Sequence, residues 1–284
     1  MKAARFDYLR PASLEEALSA LAASGPSARL IAGSQSLGPM LNLRLARPTL
    51  LIDIARLEAL RSVTEFDQDL RIGAGVTHAE IEDGRYPLLR DHPWQRVAGT
   101  IAYRSVRNRG TVGGSLAHAD PAADWMLVAW ACDAQIEIAR LAGSRLVPVS
   151  GFMKAAYTTV LAADEMIVAV RIPAVLARAD WGYYKVCRKV GDFAEASCAA
   201  LFDARSGLAR IVIGALDGPP LSLDSLARSV ARDRCVPSDD AIAEALVSSP
   251  VASDAIARQM FTATVARAIA RALGTEHHRE AELA

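Results

Sequence analysis

The chain has few cysteines and no net charge, and both features exclude classes of function. Its four cysteines are scattered over 284 residues without a C-x-x-C pair; they are Cys132, Cys187, Cys198 and Cys235. This spacing excludes a local zinc or iron–sulfur site and is typical of proteins in a reducing cytoplasm. The 32 basic residues balance 32 acidic ones, so no overall field favours nucleic acid or an anionic membrane.

Long apolar runs are also absent. No run approaches the roughly 18 consecutive apolar residues of a transmembrane helix, and the N-terminus carries no apolar core of a signal peptide. Hydrophobic residues nevertheless make up 52% of the chain, which suffices for a buried core without disulfides or metal. We therefore expect a cytoplasmic protein without a membrane span, and the length favours about two domains.

Two common phosphate-binding motifs are missing from the sequence. No segment matches the Walker A pattern G-x-x-x-x-G-K-[ST]. The segment Gly73-Ala74-Gly75 begins like the dinucleotide-binding G-x-G-x-x-G fingerprint, but His78 stands in place of the third glycine and no long crossover helix follows. We interpret this segment as a structural turn.

Glycine is instead concentrated in the segment Gly110-Thr111-Val112-Gly113-Gly114-Ser115. Glycines permit close approach of the backbone or a positive φ angle. Successive free N–H groups next to a helix start form an anion site suited to phosphate. A second loop of this type, Ala32-Gly33-Ser34-Gln35-Ser36-Leu37-Gly38, lies upstream. Either loop alone is more often a tight turn, but together they predict a pyrophosphate held from two sides.

The order of predicted elements indicates two α+β domains. Short strands and short helices alternate over the first part of the chain. After a linker at 173–180, three strand-like runs are followed by helices, of which the clearest spans Asp254 to Leu273. This order predicts an α+β fold with domains at residues 1–177 and 178–284.

Helix starts can be predicted at two places in the first part. Ser13 and Glu16 have the spacing of a capping box. Pro121 suits the first turn of a helix that continues through Trp130, and Asp120 is expected to cap that helix.

Four segments carry a resemblance to a known family; they are residues 32–37, 106–117, 119–124 and 188–194. Over nearly its full length the chain resembles the FAD-binding medium subunit of molybdenum hydroxylases. That group contains the carbon monoxide dehydrogenase flavoprotein subunit and the middle domain of xanthine dehydrogenase. The resemblance implies a two-subdomain FAD-binding domain of the vanillyl-alcohol-oxidase-like (PCMH-type) fold. A smaller α+β domain with a three-stranded antiparallel sheet and helices would follow it.

The same resemblance implies which residues bind FAD. Backbone N–H groups of the first loop would hold the pyrophosphate from one side and the Thr-x-Gly-Gly turn from the other. Asp124 would accept hydrogen bonds from the adenosine ribose. Lys185 and Ile167 would lie near the flavin ring, where a cation stabilises reduced anionic flavin. The implied set is Ala32, Gly33, Ser34, Gln35, Ser36, Leu37, Thr111, Gly113, Gly114, Ser115, Asp124, Ile167, Lys185 and Phe193; no catalytic residue and no metal ligand is expected.

The chain departs from the family pattern at three of these positions. The first loop usually reads Ala-Gly-Gly-His-Ser, whereas this chain has Ser34 and Gln35. Ser34 can still serve if its φ is negative, and Gln35 cannot supply an imidazole. Phe193 stands where a tyrosine is usual, so it could cover the flavin ring but has no hydroxyl to donate.

Two groups of basic residues have alternative interpretations. Lys185 is either the tuning cation or a solvated strand lysine. The arginines before the central loop form either a solvated face or a contact with a partner or the cofactor phosphate; they are Arg96, Arg104, Arg107 and Arg109.

The resemblance also implies a function. The chain would be the FAD-carrying electron-transfer subunit of an oxidoreductase complex, a dimer of heterotrimers. A large subunit would carry a molybdenum-pterin cofactor, and a small subunit would pass electrons through two [2Fe–2S] clusters to the FAD and on to an external acceptor. The alternatives are a self-contained FAD-dependent oxidase or reductase of the same fold and a flavin-free scaffold or sensor.

Overall fold

The structure, a computed structural model, describes residues 2–275. The first sheet of the chain is small and consists of three parallel strands. The strands are β1 (Asp7–Leu9), β2 (Ala28–Ile31) and β3 (Leu50–Asp53), and they pair in the order β1-β3-β2. Helices α1 (Leu14–Ser24) and α2 (Leu37–Asn42) lie in the connections. Because the strands are parallel, their carboxyl ends share one edge of the sheet, and the first glycine-containing loop starts there.

Helix α1 begins where the sequence predicts. The Ser13 hydroxyl accepts a hydrogen bond from the Glu16 N–H at 3.1 Å. The Glu16 carboxylate accepts from the Ala12 N–H at 2.7 Å, so the return half of the predicted capping box reaches one residue further upstream than Ser13. The buried side chains of the helix pack on the parallel sheet; they are Ala17, Leu18 and Leu21.

A five-stranded antiparallel sheet forms the centre of the first part. Its strands are β4 (Val63–Phe66), β5 (Asp69–Gly73), β6 (Gln135–Arg140) and β7 (Gly143–Pro148), followed, after a short hairpin of β8 (Met153–Ala155) and β9 (Thr158–Thr159), by β10 (Met166–Pro173). Their order is β4-β5-β10-β6-β7, which places β10 in the middle. The middle strand is buried on both faces over most of its length, as its run of apolar residues requires.

Short helices cover this sheet and carry the second glycine-rich loop. They are α3 (His78–Glu82), α4 (Pro93–Ala98), α5 (Arg104–Arg107), α6 (Val112–His118), α7 (Asp124–Ala131) and α8 (Val149–Phe152). Helix α7 is buried almost all round, since it packs against α6 and α8 and against the sheet of the second part.

The second part consists of an antiparallel sheet covered by helices. The strands β11 (Asp180–Val186), β12 (Ala196–Asp203) and β13 (Leu208–Gly214) form the three-stranded sheet that was expected, and a two-residue strand β14 (Leu221–Ser222) adds to its edge. Helices α9 (Asp224–Asp233), α10 (Asp239–Ala245) and α11 (Ala255–Leu273) follow. Asp254 caps the start of α11 and Gly274 ends it in the left-handed conformation, which confirms the prediction for this helix.

One hydrophobic core joins the two parts. Trp181 and Tyr183 of β11 belong to the same buried cluster as Trp94 and Trp125 of the first part. The two indoles of Trp94 and Trp125 stack with centroids 4.6 Å apart. The division at residue 177 therefore stays a prediction, and residues 276–284 of the expected second domain lie outside the described residues.

The predicted start of α7 is wrong by three residues. The Asp120 carboxylate accepts from the Ala122 N–H at 2.9 Å, and the Ala123 N–H donates to the Asp120 carbonyl at 3.0 Å. These bonds close a turn that contains Pro121, so the helix begins only at Asp124 and Asp120 does not cap it.

Candidate functional site

The first glycine-containing loop, residues 32–37, leaves the carboxyl end of β2 and leads into α2. The backbone N–H groups of Gly33, Ser34, Gln35 and Ser36 donate to no acceptor within residues 2–275. Unpaired backbone N–H groups in a partly buried loop are rare unless a ligand or water accepts from them. The loop therefore presents a row of donors at the edge of a parallel sheet where ligands commonly bind.

Ser34 does not have the negative φ on which its predicted role was conditional. Its φ is +62°, in the left-handed region that favours glycine. The Ser34 carbonyl accepts from the Gly38 N–H at 3.0 Å, which closes the bend into α2. The glycine that the family usually places here would adopt this conformation without the side-chain strain that Ser34 bears.

The second loop starts α6, and its Thr111 hydroxyl accepts from the Gly114 N–H at 3.1 Å. Gly113 lies against the end of β5: its N–H donates to the Ala74 carbonyl at 2.9 Å, and an added Cβ would lie 2.5 Å from the Ala74 Cβ. Gly113 is buried while Gly114 is exposed. Close packing of backbone on backbone therefore explains Gly113, and Gly114 with Ser115 forms the outward surface of this turn.

The structure brings the two loops into direct contact. A Cβ on Gly33 would overlap the Arg109 carbonyl oxygen, so glycine is required for this approach. The Arg109 Nε donates to the Gly33 carbonyl at 3.2 Å, and the Gln35 side-chain amide donates to the same oxygen at 3.1 Å. Residues that are 76 positions apart in sequence are thus in contact, next to the free N–H groups of the first loop.

A buried histidine lies beneath the second loop. Both ring nitrogens of His78 are buried and have no hydrogen-bond partner among residues 2–275. Burial lowers the pKa of His78 to about 4, so the imidazole is neutral at physiological pH. Its ring meets Trp125 edge-on, with centroids 5.8 Å apart. Sequence reasoning used His78 only to reject a glycine fingerprint and did not identify it as part of this region.

Asp124 and Lys185 form a buried ion pair at the start of α7. The Lys185 Nζ donates to Asp124 Oδ1 at 2.7 Å and to the Thr100 carbonyl at 2.9 Å. The two paired side chains are only 10% and 11% exposed, which excludes the solvated-lysine interpretation. The Tyr183 hydroxyl donates to the same Asp124 oxygen, and burial, together with this carboxylate, raises the pKa of Tyr183.

The contact between Asp124 and Lys185 bears on the cofactor-binding roles predicted for these two residues. The ribose role predicted for Asp124 and the flavin-ring role predicted for Lys185 concern opposite ends of an extended FAD. Because the two charged groups are in contact, both must lie near the same part of a bound cofactor. Each assignment stays a prediction, and a result that locates one of the two residues relative to FAD also locates the other. Tyr183 and Thr100 were missed, although Tyr183 lies two residues before Lys185 and so shares its face of the strand.

Ile167 and Phe193 lie in contrasting surroundings. Ile167 is 5% exposed at a bulge in β10 and belongs to the main core. Phe193 is 71% exposed on the loop between β11 and β12, where its apolar ring is accessible to a flat ligand. Their predicted places beside the flavin ring stay predictions.

The arginines before the second loop divide into two kinds. Arg107 and Arg104 form ion pairs with Glu82, with shortest nitrogen–oxygen distances of 2.7 and 2.8 Å. The hydrogen bond from Arg107 and the charges of both arginines hold the pKa of the Glu82 carboxyl below its usual range. Arg96 donates to the Asp91 carbonyl at 3.2 Å. Arg109 alone of the four reaches across to the first loop.

Comparison with known proteins defines the class. The family described as "FAD binding domain in molybdopterin dehydrogenase" matches residues 4–175. That match covers more than half of the chain, so the chain belongs to this family and its cofactor is FAD. The free N–H groups of the first loop fit the phosphates of such a dinucleotide.

Individual relatives and a solved structure agree with this class. The chain is 39% identical over 202 residues to the carbon monoxide dehydrogenase medium chain of Hydrogenophaga pseudoflava, covering 69% of each chain. It is 38% identical over 223 residues to the nicotine 6-hydroxylase medium subunit of Paenarthrobacter nicotinovorans, covering 77% of each. A solved carbon monoxide dehydrogenase from H. pseudoflava, which lacks the Mo-pyranopterin moiety, matches with a TM-score of 0.85 at 32% identity, over 97% of this chain and 99% of that chain.

Two further observations concern metals and membranes. The part of the chain that the structure describes has no group of three or more His, Cys, Asp or Glu side chains able to hold a metal ion. Among residues 2–275, no helix combines the length and apolar character needed to cross a bilayer.

Proposed function

We propose that this chain is the FAD-carrying electron-transfer subunit of a multi-subunit molybdenum hydroxylase. The observation that carries the proposal is the run of unpaired N–H groups at Gly33 to Ser36, in a loop that Arg109 joins to the second loop and in a fold matched over 97% of its length. Two relatives are named as a medium chain and a medium subunit, which supports membership of a larger assembly. The proposed setting is the reducing cytoplasm, supported by four free cysteines.

In this proposal the partners carry the other redox groups. A large subunit holds the molybdenum-pterin cofactor and oxidises a small molecule, and a small subunit holds two [2Fe–2S] clusters. The proposed assembly is a dimer of such heterotrimers. The buried Cys132 and Cys198 are poorly suited to hold a cluster, because burial raises the pKa of both thiols, that of Cys132 to about 12, and cluster ligands are thiolates.

The residues of this chain hold and orient the cofactor. FAD, when bound, accepts electrons singly and releases them in pairs. The N–H groups of Gly33 to Ser36 bind its pyrophosphate from one side. The outward surface of Gly114 and the Ser115 side chain lie on the other side, because the N–H groups of these two residues already donate to Thr111. The Lys185 ammonium is held by Asp124 and Thr100, which fixes the position of its charge. A fixed cation beside the flavin favours the reduced anionic form, so Lys185 tunes the potential and no residue serves as acid or base.

Copurification tests the proposal. The full chain is tagged in its native cell, isolated, and assayed for FAD, molybdenum and iron. We expect the three to elute together in a constant ratio, and the flavin absorbance to bleach when the complex, but not the isolated chain, receives an oxidisable substrate under anaerobic conditions. A chain that elutes alone with FAD and reduces its own flavin with a substrate would instead be the self-contained oxidase or reductase.

A further inference from the structure

The carbonyl of Gly33 accepts hydrogen bonds from two side chains, which uses both of its lone pairs. The Arg109 Nε donates to it at 3.2 Å and the Gln35 side-chain amide at 3.1 Å. The absence of a side chain on Gly33 lets the backbone of the second loop lie directly against it. One peptide group of the first loop is therefore fixed by the loop itself and by its neighbour.

Fixing this carbonyl also fixes an N–H group. The described residues contain no cis peptide bond, and in a trans peptide the carbonyl of one residue and the N–H of the next point in opposite directions. The carbonyl of Gly33 points towards Arg109 and Gln35, so the N–H of Ser34 points away from both side chains. That N–H donates to no acceptor within residues 2–275.

The backbone after this peptide extends the effect. Ser34 has a φ of +62°, and a left-handed residue in a bend turns neighbouring N–H groups towards one concavity. The N–H groups of Gln35 and Ser36 are likewise without a protein acceptor among the described residues. The direction of the Ser34 N–H thus sets the start of a short row of donors.

We propose that Arg109 and Gln35 are positioning residues that aim the Ser34 N–H at the cofactor pyrophosphate. This inference rests on the proposed function, because it requires the pyrophosphate to lie between the two loops. Both side chains act through the Gly33 carbonyl, because each donates its hydrogen bond to that oxygen. Gln35, which replaces the usual histidine, thereby acquires a role that needs an amide donor and no imidazole.

Binding measurements on the full chain, freed of its flavin, test the proposal with three ligands. FAD carries the adenosine, the pyrophosphate and the flavin, ADP carries the adenosine and the pyrophosphate without the flavin, and riboflavin carries the flavin without phosphate. We expect Arg109→Ala and Gln35→Leu each to raise the Kd for FAD and for ADP about 3- to 10-fold, the range of one hydrogen bond. The Kd for riboflavin should not change, because riboflavin has no phosphate to meet the Ser34 N–H.

The double variant and a matched control sharpen the test. Because both side chains donate to one oxygen, the double variant should lose less than the product of the single losses. Arg90 is the control, since its Nε also donates to a glycine carbonyl, that of Gly84, at 3.0 Å, outside both loops. Arg90→Ala should leave all three Kd values unchanged. Thermal unfolding of each flavin-free variant verifies that it is folded.

The outcomes separate this inference from the proposed function. A wild-type chain that takes up no FAD overturns the proposed function. A wild type that binds FAD, with variants that keep its affinity for FAD and ADP, overturns the inference alone. An equal loss of riboflavin binding overturns it as well, because the damage would not be confined to the pyrophosphate. A loss in Arg109→Ala alone that vanishes at high salt overturns it in favour of a direct charge contact with phosphate.

Discussion

At the scale of single residues, the site depends on groups that are held in unfavourable states by their surroundings. Ser34 adopts a conformation that suits glycine, His78 is buried without a hydrogen-bond partner in the described part of the chain, and Asp124 pairs with Lys185 away from water. Such states cost free energy and persist at functional sites because the rest of the fold stabilises them. Each can be tested by a single substitution.

Ser34→Gly should stabilise the protein. A left-handed residue with a side chain costs about 1–2 kcal/mol, part of which is offset by the greater entropy that glycine loses on folding, so we expect a gain of about 0.5–1 kcal/mol. Urea unfolding measures the gain. Ser36→Gly is the neighbouring control, because the φ of Ser36 is −104°, and it should not stabilise the chain. A Ser34→Gly variant that is less stable than wild type would contradict the strain argument.

Asp124→Ala should destabilise the fold and weaken FAD binding. It leaves the buried Lys185 ammonium without its carboxylate, which costs about 3–5 kcal/mol, and it should weaken FAD by about 1–3 kcal/mol. Asp133 is the matched control, because its pair with Arg210 is largely exposed. Asp133→Ala should change stability by less than about 1 kcal/mol. Equal effects of the two substitutions on unfolding and on FAD affinity would contradict the role of Asp124.

The two buried histidines predict a dependence of stability on pH. Burial lowers the pKa of His78 and of His92 to about 4, below the value near 6.5 of an unfolded histidine. The unfolded chain therefore binds more protons between these values, so stability is complete above pH 6.5 and falls as the pH drops towards 4. Unfolding of wild type and His78→Phe at pH 7.5 and 5.0 measures the difference. We expect wild type to lose about 1–2 kcal/mol more than the variant, and parallel losses would contradict the prediction.

At the scale of elements, helix ends with local capping signals could be predicted from the sequence better than strand order or loop contacts. The signals of α11 are local, an Asp at the start and a Gly at the end, and the structure has both. The start of α7 was mispredicted because the hydrogen bonds of the turn at Asp120 compete with the preference of proline for a first helical turn. The two-residue strand β14 carries no periodic pattern at all.

Packing of α11 on β11 depends on one glycine. A Cβ at Gly182 would overlap the Ala268 carbonyl oxygen, so the helix backbone lies directly on the strand. Gly182→Ala should therefore destabilise the protein by about 1–3 kcal/mol through forced separation of the two elements. Gly218→Ala is the control, because nothing lies within 4 Å of its added Cβ. Equal urea midpoints for the two variants would contradict this packing argument.

At the scale of the whole molecule, the two parts of the chain share a core around the cofactor loops. The α+β class could be predicted from the order of elements, and the two loops could be predicted because each has a local glycine signature. Their contact at Gly33 could not, because Arg109 lies 76 residues from its acceptor and no pattern links them. The same holds for Tyr183 and Asp124, which are 59 residues apart. Such contacts depend on how the sheets and helices pack in three dimensions, and this packing cannot be predicted from a single sequence.

A crystal structure of the full chain with FAD bound tests the central claim most directly. The measured quantity is the distance from the Ser34 backbone nitrogen to the nearest pyrophosphate oxygen. The account predicts a hydrogen bond of about 2.7–3.2 Å, with Gly114 or Ser115 on the opposite side of the same phosphates. A pyrophosphate bound elsewhere, with the N–H groups of the first loop facing only water, would contradict it.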